Sequence, residues 1–246
     1  YNYSANIIIC ITMVSKRVTK ILRVVMITLL LLLFTKHTHG TEWDCTGASN
    51  TGTFQRSTGC TISGTATTNG GGVVVTNTLE IVGTVEDMNN LIVITAPSKQ
   101  RHFYINGVND KLVLRYVKLT GGDVSSYDIH KNKDANGGSI YVGGTLLLYS
   151  SIIANNQAMN GGAIAAQGDA KNINAMRIQI NQTIIKNNKA SISGAGVLLL
   201  YSTSTVIGTT ISGNIGGGMF IEDSHSIIRN SIIKNNRAAA GGGLYI

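Results

Sequence analysis

The sequence predicts an all-β chain, a parallel β-helix built from coils of three short strands. Three observations carry this. Glycine-led tetrapeptides recur as "GGSI", "GGAI", "GAGV", "GGGM" and "GGGL", at Gly137, Gly161, Gly194, Gly216 and Gly241, with first glycines 24, 33, 22 and 25 residues apart. Ahead of each later glycine group stands a second element, Ser or Thr followed by Ile and Asn: Ser151/Ile152/Asn155, Thr183/Ile184/Asn187, Thr210/Ile211/Asn214 and Ser231/Ile232/Asn235. And no segment between these landmarks has the length or the 3.6-residue periodicity of a helix. A fixed motif with variable spacing in the twenties is the mark of a solenoid whose loops absorb insertions.

Composition agrees. Of 246 residues, 29 are Gly and one is Pro, and 43% are apolar, mostly β-branched or Leu. That mixture suits strands joined by tight turns. Within one repeat, "GGSIYVGGTLLLYSSIIANNQAMN" holds three β-type runs, Ser139–Val142, Thr145–Tyr149 and Ser151–Ile153. A leucine-rich repeat would need L-x-x-L-x-L and a helical return, and neither is present.

The N-terminal part is read first as an upstream segment of no evident role, 1–12, and then as a signal peptide, 13–40. From Met13 a basic stretch precedes an apolar run, Val24 to Phe34, and a short polar segment ends at Gly40. That is the three-part layout of a secretory leader, and the run is short for a bilayer span. Cleavage is expected near Gly40, with the chain extracellular or on the cell surface, and in the outer membrane if the host is bacterial. Residues 41–60 are read as an N-terminal cap, since an open coil end exposes unpaired strand and apolar core. In an oxidising compartment Cys45 and Cys60 are expected to pair across this segment. The β-helix follows over 61–246. Its first coils are "TLEIVG", "NLIVITA", "RHFYING" and "KLVLRYVKLTGG", and its regular repeats run from 137 to 246. The C-terminal end is read as truncated, in the middle of a coil.

Inside the coils, Ile152, Ile184, Ile211 and Ile232 are expected to stack in a dry core, each contributing roughly 2 kcal/mol of burial. Asn155, Asn187, Asn214 and Asn235 are expected to form a hydrogen-bonded ladder at a corner. The glycines at Gly137, Gly161, Gly194, Gly216 and Gly241 supply positive φ at the next corner. "NQT" at Asn181 is a possible glycan acceptor.

The repeated GGA[I/L/V]-type element paired with x-x-Asn resembles the repeats of polymorphic outer-membrane proteins. In those the second element carries Phe where this chain has Ile152-x-x-Asn155 and Ile232-x-x-Asn235. "RHFYINGVNDKLVLRYVKLTGG" is similar to the first coils of right-handed β-helix proteins of the pectin-lyase-like class. The resemblance covers Thr61 to the end. It implies a right-handed β-helix and a secreted or surface-displayed passenger, often an adhesin.

The charge pattern weighs against nucleic acid. Five of the 20 Lys and Arg fall in the first 40 residues, leaving 15 against 12 Asp and Glu thereafter. The remaining cations read as scattered, without interleaved aromatics. The alternative function is an extracellular polysaccharide lyase or glycoside hydrolase, which needs clustered carboxylates. The best cluster is Asp123, Asp128, His130 and Asp134 in "GGDVSSYDIHKNKDANGG", followed by Glu222, Asp223 and His225. Charged loop residues of this kind are usually solvated, so no catalytic, cofactor or metal site is assigned. The expected function is a non-catalytic β-helix, adhesin-like or a structural scaffold. Its partner is an extracellular protein or a glycan. Any membrane contact runs through the leader or a C-terminal region beyond Ile246.

Overall fold

A computed structural model describes residues 41–65, 70–126 and 135–246. The leader and the loop residues Asp128, His130 and Asp134 lie outside the described residues. Among those described there is no α-helix, and three parallel sheets of seven strands each form the walls of a β-helix.

The chain visits the three sheets in a fixed order, and each circuit is one coil. A typical coil runs Thr145–Tyr149 in the first sheet, Ile152–Ala154 in the second and Ile164–Gln167 in the third. The next runs Arg177–Asn181, Ile184–Lys186 and Val197–Leu200. Every strand pairs in parallel with its counterpart one coil away, for example Leu146↔Ile178 and Ile164↔Val197. Side chains alternate across each strand, so one set of columns faces the core and the other faces outward. In the first sheet Ile81, Leu114, Leu148, Ile180, Val206 and Ile228 share one inward column. The neighbouring column runs Leu79, Leu112, Leu146, Ile178 and then Ser204 and Ser226, where the two hydroxyls bond at 2.8 Å. The late coils thus hold a polar patch inside an otherwise aliphatic wall.

The five glycines that lead the tetrapeptides fall in one register. Their strands pair Ile140↔Ile164↔Val197↔Met219↔Leu244, three residues beyond each glycine. All five have positive φ, from 57° at Gly241 to 110° at Gly216. A Cβ at Gly161 would meet Ala165 Cβ at 2.7 Å, so both the backbone conformation and the space select glycine there.

The isoleucine assignment requires correction. The second-sheet register is Ile152↔Ile184↔Thr210↔Ile232 and Ile153↔Ile185↔Ile211↔Ile233. The inward column is Ile153, Ile185, Ile211 and Ile233, the first three fully buried and the last packed against the core. Ile211 is placed as expected, but Ile152 and Ile184 lie on the outward face, where Ile152 is buried against Leu91 and Ala154 with Ile184 packed beside them, and Ile232 is 54% exposed. In an Ile-Ile doublet the two side chains point to opposite faces, and the second of each pair is the inner one.

At the start of the described residues Trp43 is fully buried in the core, where its indole donates to the carbonyl of Ser49 at 3.0 Å and lies 5.9 Å from the Phe103 ring. Cys45 and Cys60 are joined as a disulfide. The sheets begin before Thr61: Gly52–Arg56 already pairs with Thr78–Gly83, and Cys60 pairs with Ile94 in the column that continues to Ile153.

Candidate functional site

The corner between the second and third sheets positions the most regular polar groups of the molecule. Each coil turns there on a residue in the left-handed region: Gly121, Asn155, Asn187, Gly213 and Asn235, with φ of 81°, 58°, 55°, 65° and 55°. Asparagine is the residue that tolerates this conformation best after glycine. The ladder itself is one residue further on, which corrects three of the four expected members. Gly122 N–H donates to Asn156 Oδ1 at 2.8 Å, Asn156 N–H to Asn188 Oδ1 at 3.0 Å, Asn188 N–H to Asn214 Oδ1 at 2.9 Å and Asn214 N–H to Asn236 Oδ1 at 2.9 Å. The Nδ2 groups of Asn156, Asn188 and Asn214 donate as well, to the next Oδ1 and to a carbonyl, as Asn188 does to Asn214 Oδ1 and Ile153 O, both at 3.1 Å, and Asn236 Nδ2 donates to Ile211 O. Asn214 was placed correctly; Asn155, Asn187 and Asn235 are the corner residues, and their amides face solvent. A second ladder, of hydroxyls at Ser151, Thr183, Thr209 and Ser231, bridges the first and second sheets; Ser231 Oγ accepts from Thr209 N–H at 3.2 Å.

Outside the asparagine ladder lies an open groove of about 610 Å³, lined by Asn155, Gln157, Asn187, Lys189, Gly213 and Ile215 among others. Two outward columns flank this corner, and of their cations Lys189 lines the groove, as Asp123 does. One runs Thr120, Ala154, Lys186, Ser212 and Lys234. The other runs Asp123, Gln157, Lys189, Ile215 and Arg237. "KNNK" at 186–189 and "KNNR" at 234–237 therefore place a cation in each column, two coils apart, about 10 Å along the axis of the coils. Lys189, Lys234 and Arg237 are exposed and Lys186 half-buried. The ion pairs among the described residues lie elsewhere, Glu42–Arg56 at 3.3 Å and Glu80–Arg115 at 3.2 Å.

The acidic groups are held in turns. Asp123 stands at one end of the groove, where it accepts from Ser125 N–H at 2.9 Å and from Gln157 Nε2 at 2.7 Å. Asp110 accepts from Asn77 and Gly107 N–H, and Asp169 from Lys171 N–H. Hydrogen bonds from Asn89 and Asn90 hold the exposed Asp87 carboxyl below the usual carboxylate range. Glu222 ends a third-sheet strand, Asp223 is a corner residue with φ of 47°, and His225 opens a first-sheet strand. Among the described residues no three His, Cys, Asp or Glu come together as a metal site. Asn181 is half-buried at the end of its strand, beside Tyr149 and Ile207.

His102 was not singled out by sequence and is fully buried. Its Nε2 lies 3.1 Å from Ile94 O and 3.0 Å from Thr120 O, so that nitrogen carries the proton, and Nδ1 accepts from Ser139 Oγ at 3.0 Å. Burial pushes the imidazole down to about 4, against the upward pull of its hydrogen bonds. It is a neutral tie between coils. On the outer face of the third sheet Arg101 lies 5.4 Å and 5.5 Å from the stacked rings of Tyr104 and Tyr141. Burial holds the Tyr141 phenol above its ordinary range, with Tyr104 adding to the rise and Arg101 opposing it.

Compared with known proteins, the chain matches no family model, no curated protein and no solved structure.

Proposed function

We propose that this chain is a non-catalytic, secreted or cell-surface β-helix that binds an extracellular partner along its outer columns. The observation that carries the reading is the division of labour among its polar groups. Buried amides and hydroxyls tie coil to coil, the aspartates that flank strands cap turns, and the cations of the second corner point outward in register. Such a surface offers repeated, rigid contacts, which favours recognition by many weak interactions over chemistry at one point. The glycine-led repeat, with its likeness to polymorphic outer-membrane proteins, supports a passenger or adhesin role, and the leader read at 13–40 supports export.

Incubation of the full chain with pectin, alginate and related polymers tests this reading. No new reducing ends and no unsaturated-uronate absorbance are expected, while the immobilised protein retains an extracellular protein or glycan. Cleavage that is abolished in an Asp128→Asn variant would replace the binding role with an enzymatic one.

A further inference from the structure

The second corner repeats its charge at a longer period than its backbone. The backbone period is one coil, but the cations occupy alternate coils: Lys186 with Lys189, then the neutral Ser212 and Ile215, then Lys234 with Arg237. Between the two columns, Asn187 and Asn235 sit on coils that carry cations, and Gly213 sits on the coil that does not. Each cationic coil thus presents two positive groups flanking an outward amide, and the coil between presents a gap. The αL conformation fixes each corner backbone on a wall tied by the buried ladder, so the Cα positions that carry the array are held in register.

We propose that this corner is a docking track for a linear acidic polysaccharide whose pattern of anionic groups repeats with each disaccharide. The interval of about 10 Å between cation pairs is close to the length of a disaccharide in an extended glycan. The cations meet carboxylates or sulfate esters, and the Asn155, Asn187 and Asn235 amides meet hydroxyls with both donor and acceptor capacity. The gap at Gly213 leaves room for the intervening sugar. A nucleic acid fits less well: the groove lining has no aromatic ring on which bases stack, and duplex phosphates recur about every 3.4 Å of axis along each strand. The inference rests on the surface-binding reading above and adds the ligand class and its location.

The test uses the full chain and heparin, hyaluronan and neutral dextran as probes, with binding followed against salt. Binding of heparin without hyaluronan would show that sulfate groups are required, and binding of both would show that carboxylates suffice; dextran should not bind. The variant Lys186→Gln/Lys189→Gln/Lys234→Gln/Arg237→Gln should weaken binding by at least about tenfold and release about three fewer counterions. Lys111→Gln/Arg177→Gln, on outward positions of the first sheet, should change it less than about twofold. A second variant moves one charge pair while keeping the total: Lys186→Gln/Lys189→Gln/Ser212→Lys/Ile215→Lys. It should remain weak, because its pairs stand one coil apart. Full binding by that variant would overturn the spacing argument. Unchanged binding by the fourfold variant, equal binding of dextran, or tighter binding of duplex DNA through the same residues would overturn the track itself. If the fourfold variant keeps its hold on another extracellular partner, the surface-binding reading survives and this inference fails alone.

Discussion

Asn188 Oδ1 accepts two hydrogen bonds from a single residue of the preceding coil, Asn156, one from its backbone N–H and one from its Nδ2, both at 3.0 Å. Asn188 passes the same arrangement on to Asn214. The buried donors and acceptors of successive corners are thereby satisfied without water, and the corner is tied along the axis of the coils.

Replacing Asn188 by Leu leaves the Asn156 N–H and one of its Nδ2 protons without an acceptor in a dry site, at a cost on the order of 3 kcal/mol. The adjacent Asn187→Gly change should be nearly neutral, since Gly213 occupies the equivalent position one coil on. Denaturant midpoints of the two variants check the contrast.

Ile185→Ala removes a fully buried side chain and should cost roughly 2–5 kcal/mol. Ile184→Ala, on the outward face, should cost under about 1 kcal/mol. Equal losses in thermal or chemical unfolding would contradict the register.

Those two contrasts mark where the sequence was legible and where it was not. Period, strand rhythm, the glycine register and the disulfide all follow from local chemistry that repeats: glycine at a positive φ, alternating apolar runs, an even cysteine pair. The inner face does not follow from "SIIANN" or "SIIKNN", because a doublet of Ile and a doublet of Asn offer one residue to each face and composition cannot choose between them. The coil "TTISGN" breaks the tie. Its single Ile211 and single Asn214 take the inner positions, while Thr210 and Gly213 take the outer ones. Aligning the other coils on this one places Asn156, Asn188 and Asn236 in the ladder. The cations of "KNNK" and "KNNR" read as scattered in one dimension, and only the coil register brings them into columns. His102 gave no signal because its three partners, Ile94, Thr120 and Ser139, come from other segments that only the coiling brings together.

The disulfide closes a separation of 15 residues, so its reduction should lower stability by roughly 3 kcal/mol. The effect should be local first. Trp43, the only tryptophan, is buried two residues before Cys45, so under reducing conditions its fluorescence should shift at lower temperature than the β signal in circular dichroism. Coincident transitions would show that this segment and the coils melt as one.

His102 makes stability depend on pH. Its folded value of about 4 lies below the ordinary 6.5, so the unfolded chain binds the proton more readily. The contribution is complete above pH 6.5, falls as pH drops from 6.5 to 4, and is level below 4, with a total of about 3 kcal/mol. A His102→Gln variant, less stable at pH 7, should lose this slope between pH 6.5 and 4. An unchanged slope in urea titrations would assign it to other groups.

The register of the second corner underlies the ladder, the groove and the spacing of its cations, and side-chain amide exchange reads it directly. With asparagine selectively labelled with ¹⁵N, the Nδ2 protons of Asn156, Asn188 and Asn214 should exchange slowly, being buried and hydrogen-bonded. Those of Asn155 and Asn187 should exchange at the rate of exposed amides. Protection of Asn155 and Asn187 with rapid exchange at Asn156 and Asn188 would contradict the register, and with it the columns that place the cations two coils apart.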